Sequence, residues 1–343
     1  MNTERKAHKR ALKVAFFSAQ PYDKEFFQAA NQQFGHNISF FEARLSVKTA
    51  SLAFGYEAVC AFVHDFLDEP VLMKISDTGT RLVALRCSGY NNVDLDAAER
   101  LGMTVIRVPA YSPHAVAEHA VGLMLALNRH IHRAYNRVRE MNFSIDGLMG
   151  FDVRGKTVGV VGTGAIGRCF CDIMRGFGCK LIAHDPQPNP LLAAQGVSYV
   201  SMEKIFTDSD VISLHCPWTP STHHLIDAEA LVKMKPGVMI INTSRGALLD
   251  TPAVIDGLKQ KRIGALGIDV YEEEAGLFYE DHSNEIIQDE MLSRLLTFPN
   301  VIVTGHQAFF TREAMRNIAE TTLSGITEFA EKGACQNAIV PKK

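Results

Sequence analysis

The stretch KTVGVVGTGAIG, which spans residues 156–167, decides the fold class of this chain. Its first half is a short apolar run rich in valine, as expected for a buried strand. The segment that follows, AIGRCFCDIMRGFG, has the apolar spacing of a helix. A strand that runs through glycines into a helix forms the phosphate-binding turn of a dinucleotide-binding βαβ unit. The stretch therefore predicts a domain with a parallel sheet that binds a dinucleotide.

Each glycine of this GxGxxG motif has a predicted role. Gly162 permits the tight turn, Gly164 lets the backbone approach a pyrophosphate, and Gly167 lets helix and strand pack closely. The next strand-like run, KLIAHD, ends in Asp185, which can accept hydrogen bonds from both ribose hydroxyls of the adenosine half. Taken alone, Asp185 could also be a loop acid before a proline. Because a carboxylate there repels a 2′-phosphate, the sequence predicts NAD rather than NADP.

Outward from this stretch, strand-like and helical segments alternate along almost the whole chain. Six apolar runs between residues 157 and 306 supply enough strands for a complete dinucleotide-binding domain, and five more lie between residues 12 and 109. An amphipathic final helix over 311–333 is expected to return to this first lobe. The alternation is typical of α/β proteins with doubly wound parallel sheets. From Ala115 to Arg139 the pattern predicts one long helix, suited to a domain junction or a subunit interface.

A chain of 343 residues is long for a single domain, and the pattern divides it into two. We expect a discontinuous substrate domain made of residues 1–111 and 309–343, and an NAD-binding Rossmann domain made of residues 112–308. The formal net charge of −3 provides no field that favours nucleic acid or an anionic membrane. We therefore expect neither a nucleic acid nor a membrane as a partner.

Three further features concern the compartment. The basic amino-terminal cluster MNTERKAHKR is interpreted as a short solvated tail, because the apolar run after it is too short for a signal peptide. No apolar run approaches the ~18 residues of a membrane span. The seven cysteines are odd in number and scattered, which indicates reduced thiols rather than a disulfide framework. We therefore expect a soluble, cytoplasmic protein.

Polar side chains follow three apolar strands in the second half of the chain. Arg245 comes after VMIINTS, an acidic run follows IGALGIDV, and His306 comes after NVIVTG. Because open α/β sheets bind ligands at the carboxyl edge of their strands, these residues could share a site. A guanidinium holds a carboxylate in a bidentate fork, an imidazole can protonate a nascent alkoxide, and a carboxylate favours the imidazolium form. The set suits hydride transfer to a 2-keto acid.

Each of these residues also has an ordinary interpretation. Arg245 could be a surface residue, His306 a hydrogen-bonded structural histidine, and the acidic run Glu272–Glu274 a solvated loop. Periodicity cannot say which of the three glutamates matters.

Three other histidines are interpreted without a catalytic role. His119 lies among apolar residues of a predicted helix and is taken as a buried structural histidine, whereas His223 and His224 look like exposed loop residues. No His/Asp/Glu cluster has metal-ligand spacing, so the sequence predicts no metal site.

From Tyr22 to Val340 the chain resembles the D-isomer-specific 2-hydroxyacid dehydrogenases, most closely their fermentative D-lactate dehydrogenase branch. Several motifs in a fixed order carry this resemblance, and together they are far more specific than any one of them. They are RCSGYNNVDLDAAERLG, VPAYSPHAVAEHAVGLMLALNR, GKTVGVVGTGAIG, DVISLHCPWTPSTHHLI, MKPGVMIINTSRGALLD, GIDVYEEEAGLFYED and VTGHQAF. The resemblance implies two Rossmann-like domains, one flavodoxin-like and one NAD-binding, with an active-site cleft between them.

The resemblance also implies roles for individual residues. It makes Arg245 the catalytic arginine and His306 the general acid/base, and it selects Glu274, the third of the acidic run, as the partner of the histidine. It adds further cofactor contacts to the three glycines and Asp185. These are Ala165, Ile166, Cys216, Pro217, Thr222, Thr243, Ser244, Arg245 and Asp269.

Substrate contacts follow from the same resemblance. The backbone amides of Ser88 and Gly89 are expected to hold the substrate carboxylate together with Arg245, and His306 is expected to contact the substrate as well. Tyr111 and Phe309, near the hinges, are candidate walls of the substrate pocket. The implied activity is reduction of pyruvate to D-lactate with NADH, in a homo-oligomer, either a dimer or a tetramer. Two alternatives remain: the same chemistry on a bulkier 2-keto acid, and an NAD-sensing binding protein, since transcriptional corepressors also use this fold.

Overall fold

A computed structural model describes residues 10–340, in which parallel strands alternate with helices. The strands are β1 (Lys13–Phe16), β2 (Asn37–Phe40), β3 (Ala58–Ala61), β4 (Leu82–Leu85), β5 (Thr104–Ile106), β6 (Thr157–Val161), β7 (Lys180–His184), β8 (Ser198–Tyr199), β9 (Val211–Leu214), β10 (Val238–Asn242), β11 (Ile263–Ile268) and β12 (Val301–Val303). The α-helices are α1 (Pro21–Phe34), α2 (Glu69–Asp77), α3 (Leu95–Arg100), α4 (Pro113–Asn128), α5 (Ile131–Arg139), α6 (Ala165–Gly176), α7 (Pro190–Ala194), α8 (Met202–Asp208), α9 (Ala228–Lys233), α10 (Thr251–Lys259), α11 (Glu290–Leu296) and α12 (Arg312–Lys332). Short 3₁₀ turns occur at Ala50–Ala53 and Gly246–Leu248.

The described residues fall into two compact units. The first contains the residues up to Ser112 together with those from Phe310 onward, and the second runs from Pro113 to Phe309. Both boundaries between the units lie one residue later in the sequence than the predicted boundaries. Most of the predicted amino-terminal tail, residues 1–9, lies outside the described residues; Arg10 forms an exposed ion pair with Glu57 at 2.7 Å.

The first unit is built on a five-stranded parallel sheet. Its strand order is β2-β1-β3-β4-β5, which is the flavodoxin-like order that the resemblance implied. The strands β3 and β4 are buried along their whole length, as expected for a sheet covered on both faces. Helix α12 packs against α1 and β4, so the end of the chain completes the unit begun by its start.

The second unit contains a seven-stranded parallel sheet in the order β12-β11-β10-β9-β6-β7-β8. Read from β8 towards β12, this is the dinucleotide-binding order with one additional strand. The two sheets confirm the predicted fold class. The sequence predicted six strands here, and the seventh, β8, was missed because two residues are too few to show a strand period.

The prediction of one long helix from Ala115 to Arg139 is wrong. Helix α4 ends at Asn128, and His130 adopts a left-handed conformation (φ 50°) before α5 begins. The buried side-chain amide of Asn128 donates to the Phe151 carbonyl at 2.8 Å and accepts from the Phe151 amide at 3.0 Å. Helix α4 is largely buried, whereas α5 has no buried residue, so the apolar and polar halves of the predicted helix are separate elements.

Two further predictions concern cysteines and membranes. All seven cysteines lie within the described residues, none forms a disulfide, and six are buried, as the sequence predicted. Across residues 10–340, no helix combines the length and apolar character needed to cross a membrane.

Candidate active site

The glycine turn lies between β6 and α6, and two of its glycines are required by packing. Gly162 has a φ of +89°, and a Cβ there would lie 2.7 Å from the Cys216 amide nitrogen. A Cβ on Gly167 would lie 2.0 Å from the Gly162 carbonyl oxygen. Gly164 is exposed and has no atom within 4 Å of a Cβ position, so its backbone is open to a ligand. Ala165 then begins helix α6, whose free N–H groups favour an anion.

Asp185 follows β7 and is held beside this turn. Its Oδ2 accepts hydrogen bonds from the Thr163 amide at 2.7 Å and the Thr163 hydroxyl at 3.0 Å, and its Oδ1 accepts one from the Gln187 amide at 2.8 Å. Burial is the largest single influence and raises the pKa of Asp185, but the hydrogen bonds from Thr163 and Gln187, together with nearby His184, lower this pKa overall. The residue is therefore a fixed, ionised and partly exposed carboxylate, suited to ribose hydroxyls and unfavourable to a phosphate.

The order in which successive strands are added to the sheet reverses between β6 and β9, and open α/β sheets bind ligands at such a reversal. His215 follows β9, and its ring packs on Phe170 with 4.8 Å between ring centroids. Burial lowers the pKa of His215 to about 3 and raises the pKa of the Cys216 thiol to about 11. Both side chains are therefore neutral near pH 7, so they support the turn rather than transfer protons.

The predicted cofactor contacts beyond the turn lie on loops at the same sheet edge. The Thr222 hydroxyl donates to the Pro217 carbonyl at 2.8 Å, which closes the loop after β9. The Ser244 hydroxyl donates to the Cys216 carbonyl at 2.5 Å. The buried hydroxyl of Thr243 has no hydrogen-bond partner among the described residues. A buried polar group usually has a partner, so Thr243 fits a contact with a bound ligand.

Arg245 is positioned by a side chain that the sequence analysis missed. The buried amide of Asn242 donates to the Arg245 carbonyl at 2.8 Å and accepts from the Ser244 amide at 3.0 Å. Next in the chain, a Cβ on Gly246 would lie 2.0 Å from the Tyr271 carbonyl carbon. The loop of Arg245 therefore packs directly on the segment after β11, and the half-buried guanidinium donates to the Ser244 carbonyl at 2.6 Å.

Asp269, predicted as a cofactor contact, is fully buried and holds the chain around His306. Its Oδ1 accepts from the Thr304 hydroxyl at 2.5 Å and the Gln307 amide at 2.9 Å, and its Oδ2 accepts from the Ala308 amide at 2.8 Å. Its backbone carbonyl accepts from the His306 amide at 2.8 Å. These bonds fix the loop after β12 onto the end of β11.

His119 of helix α4 adds to this network. Its Nε2 lies 3.1 Å from the Thr304 hydroxyl and 3.5 Å from Asp269 Oδ1. The sequence predicted a buried structural histidine, but the His119 side chain is 21% exposed and lies against the carboxylate that holds the His306 loop. Its position on an otherwise apolar helix face was the available signal, but the partner could not be read from the sequence.

His306 and Glu274 form a direct pair. His306 Nδ1 lies 2.9 Å from Glu274 Oε1, and Glu274 Oε2 accepts from the Tyr271 amide at 3.1 Å. His306 has a left-handed backbone (φ 53°), and its carbonyl accepts from the Tyr279 hydroxyl at 3.0 Å. Of the three glutamates in the acidic run, Glu274 is thus the one that contacts this histidine. Because Nδ1 faces Glu274, Nε2 is the nitrogen that can serve a substrate.

The residues predicted to bind substrate from the first unit lie just past β4 and β5. The Ser88 carbonyl accepts from Arg107 at 2.9 Å, and the Gly89 carbonyl accepts from the Cys87 thiol at 3.2 Å. The Tyr111 carbonyl accepts from the Asn317 side chain at 2.6 Å. Phe309, the last residue of the second unit, is buried.

The structure also brings together a group that sequence spacing did not reveal. His223, His224 and Glu272 each offer a ligand atom, and these atoms lie within 4.8 Å of one another. The expectation of no metal-ligand cluster rested on local spacing, and it needs this correction because Glu272 is 48 positions from His224. His223 is exposed as expected, but His224 is half-buried.

A glycine turn between a strand and a helix, a fixed carboxylate beside it and a histidine–glutamate pair at the same sheet edge are features of an NAD-dependent oxidoreductase. Residues 121–308 match the family profile described as D-isomer specific 2-hydroxyacid dehydrogenase, NAD binding domain. The chain belongs to the D-isomer specific 2-hydroxyacid dehydrogenases, and its second unit carries the NAD-binding domain of that family.

Similar proteins cover nearly the whole chain. It is 52% identical over 329 residues to the D-lactate dehydrogenase of Escherichia coli, with 96% of this chain and 100% of that protein covered. The apo-structure of D-lactate dehydrogenase from Escherichia coli superposes with a TM-score of 0.88 at 50% identity, covering 96% of this chain and 100% of that one. The structure of the pyruvate reductase of Chlamydomonas reinhardtii gives a TM-score of 0.92 at 45% identity, covering 96% and 99%.

Proposed function

We propose that the protein reduces pyruvate to D-lactate with NADH. The observation that carries the proposal is the 2.9 Å pair between His306 and Glu274, at the same sheet edge as the glycine turn. Solved relatives at 45–50% identity that are named D-lactate dehydrogenase or pyruvate reductase support the choice of substrate.

The residues of the second unit fit NAD. The exposed Gly164 and the start of α6 would hold the pyrophosphate, and Asp185 would accept hydrogen bonds from the adenosine ribose. Ile166, Pro217, Thr222, Thr243 and Ser244 are proposed as further contacts. When bound, NADH supplies the hydride that reduces the carbonyl carbon. The fixed negative charge of Asp185 supports a preference for NADH over NADPH, because it repels a 2′-phosphate.

The chain itself binds the keto acid and delivers a proton. Arg245 would bind the substrate carboxylate in a bidentate fork. Ser88, Gly89, Tyr111 and Phe309 are proposed as further substrate contacts. His306 gives its Nε2 proton to the carbonyl oxygen as that oxygen gains charge, and Glu274 stabilises the imidazolium before transfer. Pyruvate, NADH and one proton thus yield D-lactate and NAD⁺.

A panel of 2-keto acids assayed with NADH and with NADPH tests this proposal. We expect loss of NADH absorbance with pyruvate, formation of the D isomer, and slower turnover with NADPH. A higher kcat/KM for branched or aromatic keto acids would favour the bulkier-substrate alternative. NADH binding without turnover of any keto acid would contradict the enzymatic proposal and favour an NAD-sensing binding protein.

We also propose that the protein is a homo-oligomer whose subunits meet at an exposed apolar segment, residues 131–151. Phe143, Ile145 and Met149 are 68%, 82% and 91% exposed, an apolar surface that a second copy would cover. Light scattering should give at least twice the monomer mass for the wild type. The variant Phe143→Ser/Ile145→Lys should be monomeric, and a monomeric wild type would contradict the proposal.

For the compartment, we propose the cytoplasm and a role in fermentation, as the resemblance implies. Reduction of a keto acid by NADH regenerates NAD⁺, which is the chemistry that a fermenting cell requires. Fractionation of the source cells should recover the chain with cytoplasmic markers, and recovery with another compartment would contradict this location.

A further inference from the structure

His223, His224 and Glu272 form a cluster outside the proposed catalytic pair. His224 Nε2 lies 2.6 Å from Glu272 Oε1, and the two imidazole rings stack with 3.9 Å between their centroids. All three potential ligand atoms lie within 4.8 Å of one another. We propose that this cluster, the His-His-Glu site, binds a divalent transition-metal ion, with Zn²⁺ as the expected occupant.

The fold builds the His-His-Glu site from separate segments. The His223 amide donates to the Thr219 carbonyl at 2.9 Å, and the His224 amide donates to the Ala247 carbonyl at 2.9 Å. His224 has a left-handed backbone (φ 49°), an uncommon conformation that its surroundings must hold in place. Glu272 Oε2 accepts from the Thr251 hydroxyl at 3.3 Å, so Oε1 faces the histidines. These contacts position the donors before any ion binds.

The donor set selects the kind of ion. Two imidazole nitrogens and one carboxylate oxygen are ligands of Zn²⁺, and three protein ligands leave a position for water. Mg²⁺ and Ca²⁺ prefer oxygen ligands throughout, so two histidines disfavour them. The cluster is accessible, because the side chains of His224 and Glu272 are 33% and 22% exposed and His223 is more so. An ion from solution therefore has a path to all three ligands.

An ion at this site would act on the proposed catalytic pair. Glu272 lies two residues before Glu274, and the Tyr271 amide between β11 and Glu272 binds Glu274 Oε2 at 3.1 Å. Gly246, next to Arg245, packs on the backbone of Tyr271 and Glu272. An ion bound between Glu272 Oε1 and His224 Nε2 must move these two atoms apart from their 2.6 Å contact, which displaces the segment against which both groups are fixed. Zn²⁺ should therefore slow turnover; this consequence rests on the proposed function, whereas binding itself does not.

The binding test uses the full chain without substrate. Calorimetric titration with Zn²⁺, and absorbance of added Co²⁺, should show a high-affinity site in the wild type. His223→Gln should weaken that site by roughly tenfold or more, because an exposed ligand is lost without disturbing the core. His282→Gln is the matched control, since His282 also contacts a glutamate, Glu285 at 2.7 Å, but lies outside the cluster.

The outcomes separate the proposal from its rivals. Equal affinity in the wild type and in His223→Gln, no binding at all, or loss of binding in His282→Gln would overturn the His-His-Glu site. A simple structural hydrogen bond between His224 and Glu272 predicts no binding. In the turnover assay, Zn²⁺ should inhibit the wild type at concentrations that leave His223→Gln active. Equal inhibition of both proteins would contradict the proposed effect of Zn²⁺ on turnover, whereas the binding result would still stand.

Discussion

The two units use the same parallel-sheet architecture but treat an arginine at the end of a strand in opposite ways. In the first unit, Arg86 follows β4 and is buried. It donates to the Phe17 carbonyl at 3.1 Å and the Ser18 carbonyl at 2.8 Å, and it pairs with Asp23 at 3.4 Å. Burial opposes the charge of Arg86, yet Asp23 and other buried acidic groups raise its pKa overall.

In the second unit, Arg245 follows β10 with its guanidinium half-buried, and its hydrogen bond goes to the neighbouring Ser244 carbonyl. His306 is likewise 20% exposed on its side chain. The difference is instructive, because a buried charge must be satisfied within the protein, whereas a partly open one retains capacity for a ligand. A position at the edge of the sheet is therefore not enough for ligand binding. The polar group must also keep hydrogen-bonding capacity that the protein itself does not use.

The largest effect is expected in the second unit from His306→Gln. Loss of the proposed general acid should lower kcat by about 10²- to 10⁴-fold, because a glutamine side chain cannot deliver the proton. NADH affinity, measured by fluorescence titration, should change little. His282→Gln, at another histidine of the same unit that pairs with a glutamate, Glu285 at 2.7 Å, serves as the control and should keep wild-type turnover. Wild-type kcat in His306→Gln would remove this histidine from the mechanism.

In the first unit, Arg86→Met tests whether the buried arginine is structural. It leaves Asp23 buried without its cation, so the free energy of unfolding should fall by about 3 kcal/mol. Urea denaturation followed by circular dichroism gives the measurement. The matched variant Arg245→Met should change unfolding by only about 0.5 kcal/mol while activity is lost. If Arg86→Met kept wild-type stability, the contrast between the two arginines would collapse.

The smallest effect is expected from Glu274→Gln. The neutral amide no longer forms a charged hydrogen bond with His306 Nδ1, so the ring is held less firmly and kcat should fall by about tenfold. Stopped-flow measurement of NADH oxidation gives this rate. Glu273→Gln, at the exposed neighbour, should keep wild-type kcat. Wild-type kcat in Glu274→Gln would contradict the positioning role of this carboxylate.

The sequence by itself determined the fold class, because strand and helix periods and the spacing of Gly162, Gly164 and Gly167 are local properties. It also determined which residue types follow the strands, since Asp185, Arg245 and His306 each come directly after an apolar run. The sequence did not show where the helical pattern is interrupted. The helix breaks at His130, where the Asn128 side chain binds Phe151, 23 residues further along the chain.

Tertiary structure alone decided which side chains meet. Glu274 pairs with His306, which is 32 positions away in the sequence, and Glu272 contacts His224, which is 48 positions away. The two glutamates are separated by a single residue. The buried roles of Asn242 and Asp269 also depend on contacts between loops. The physical reason is that periodicity records which face of an element is apolar, whereas a hydrogen bond between distant segments depends on strand order and loop packing, which no local pattern encodes.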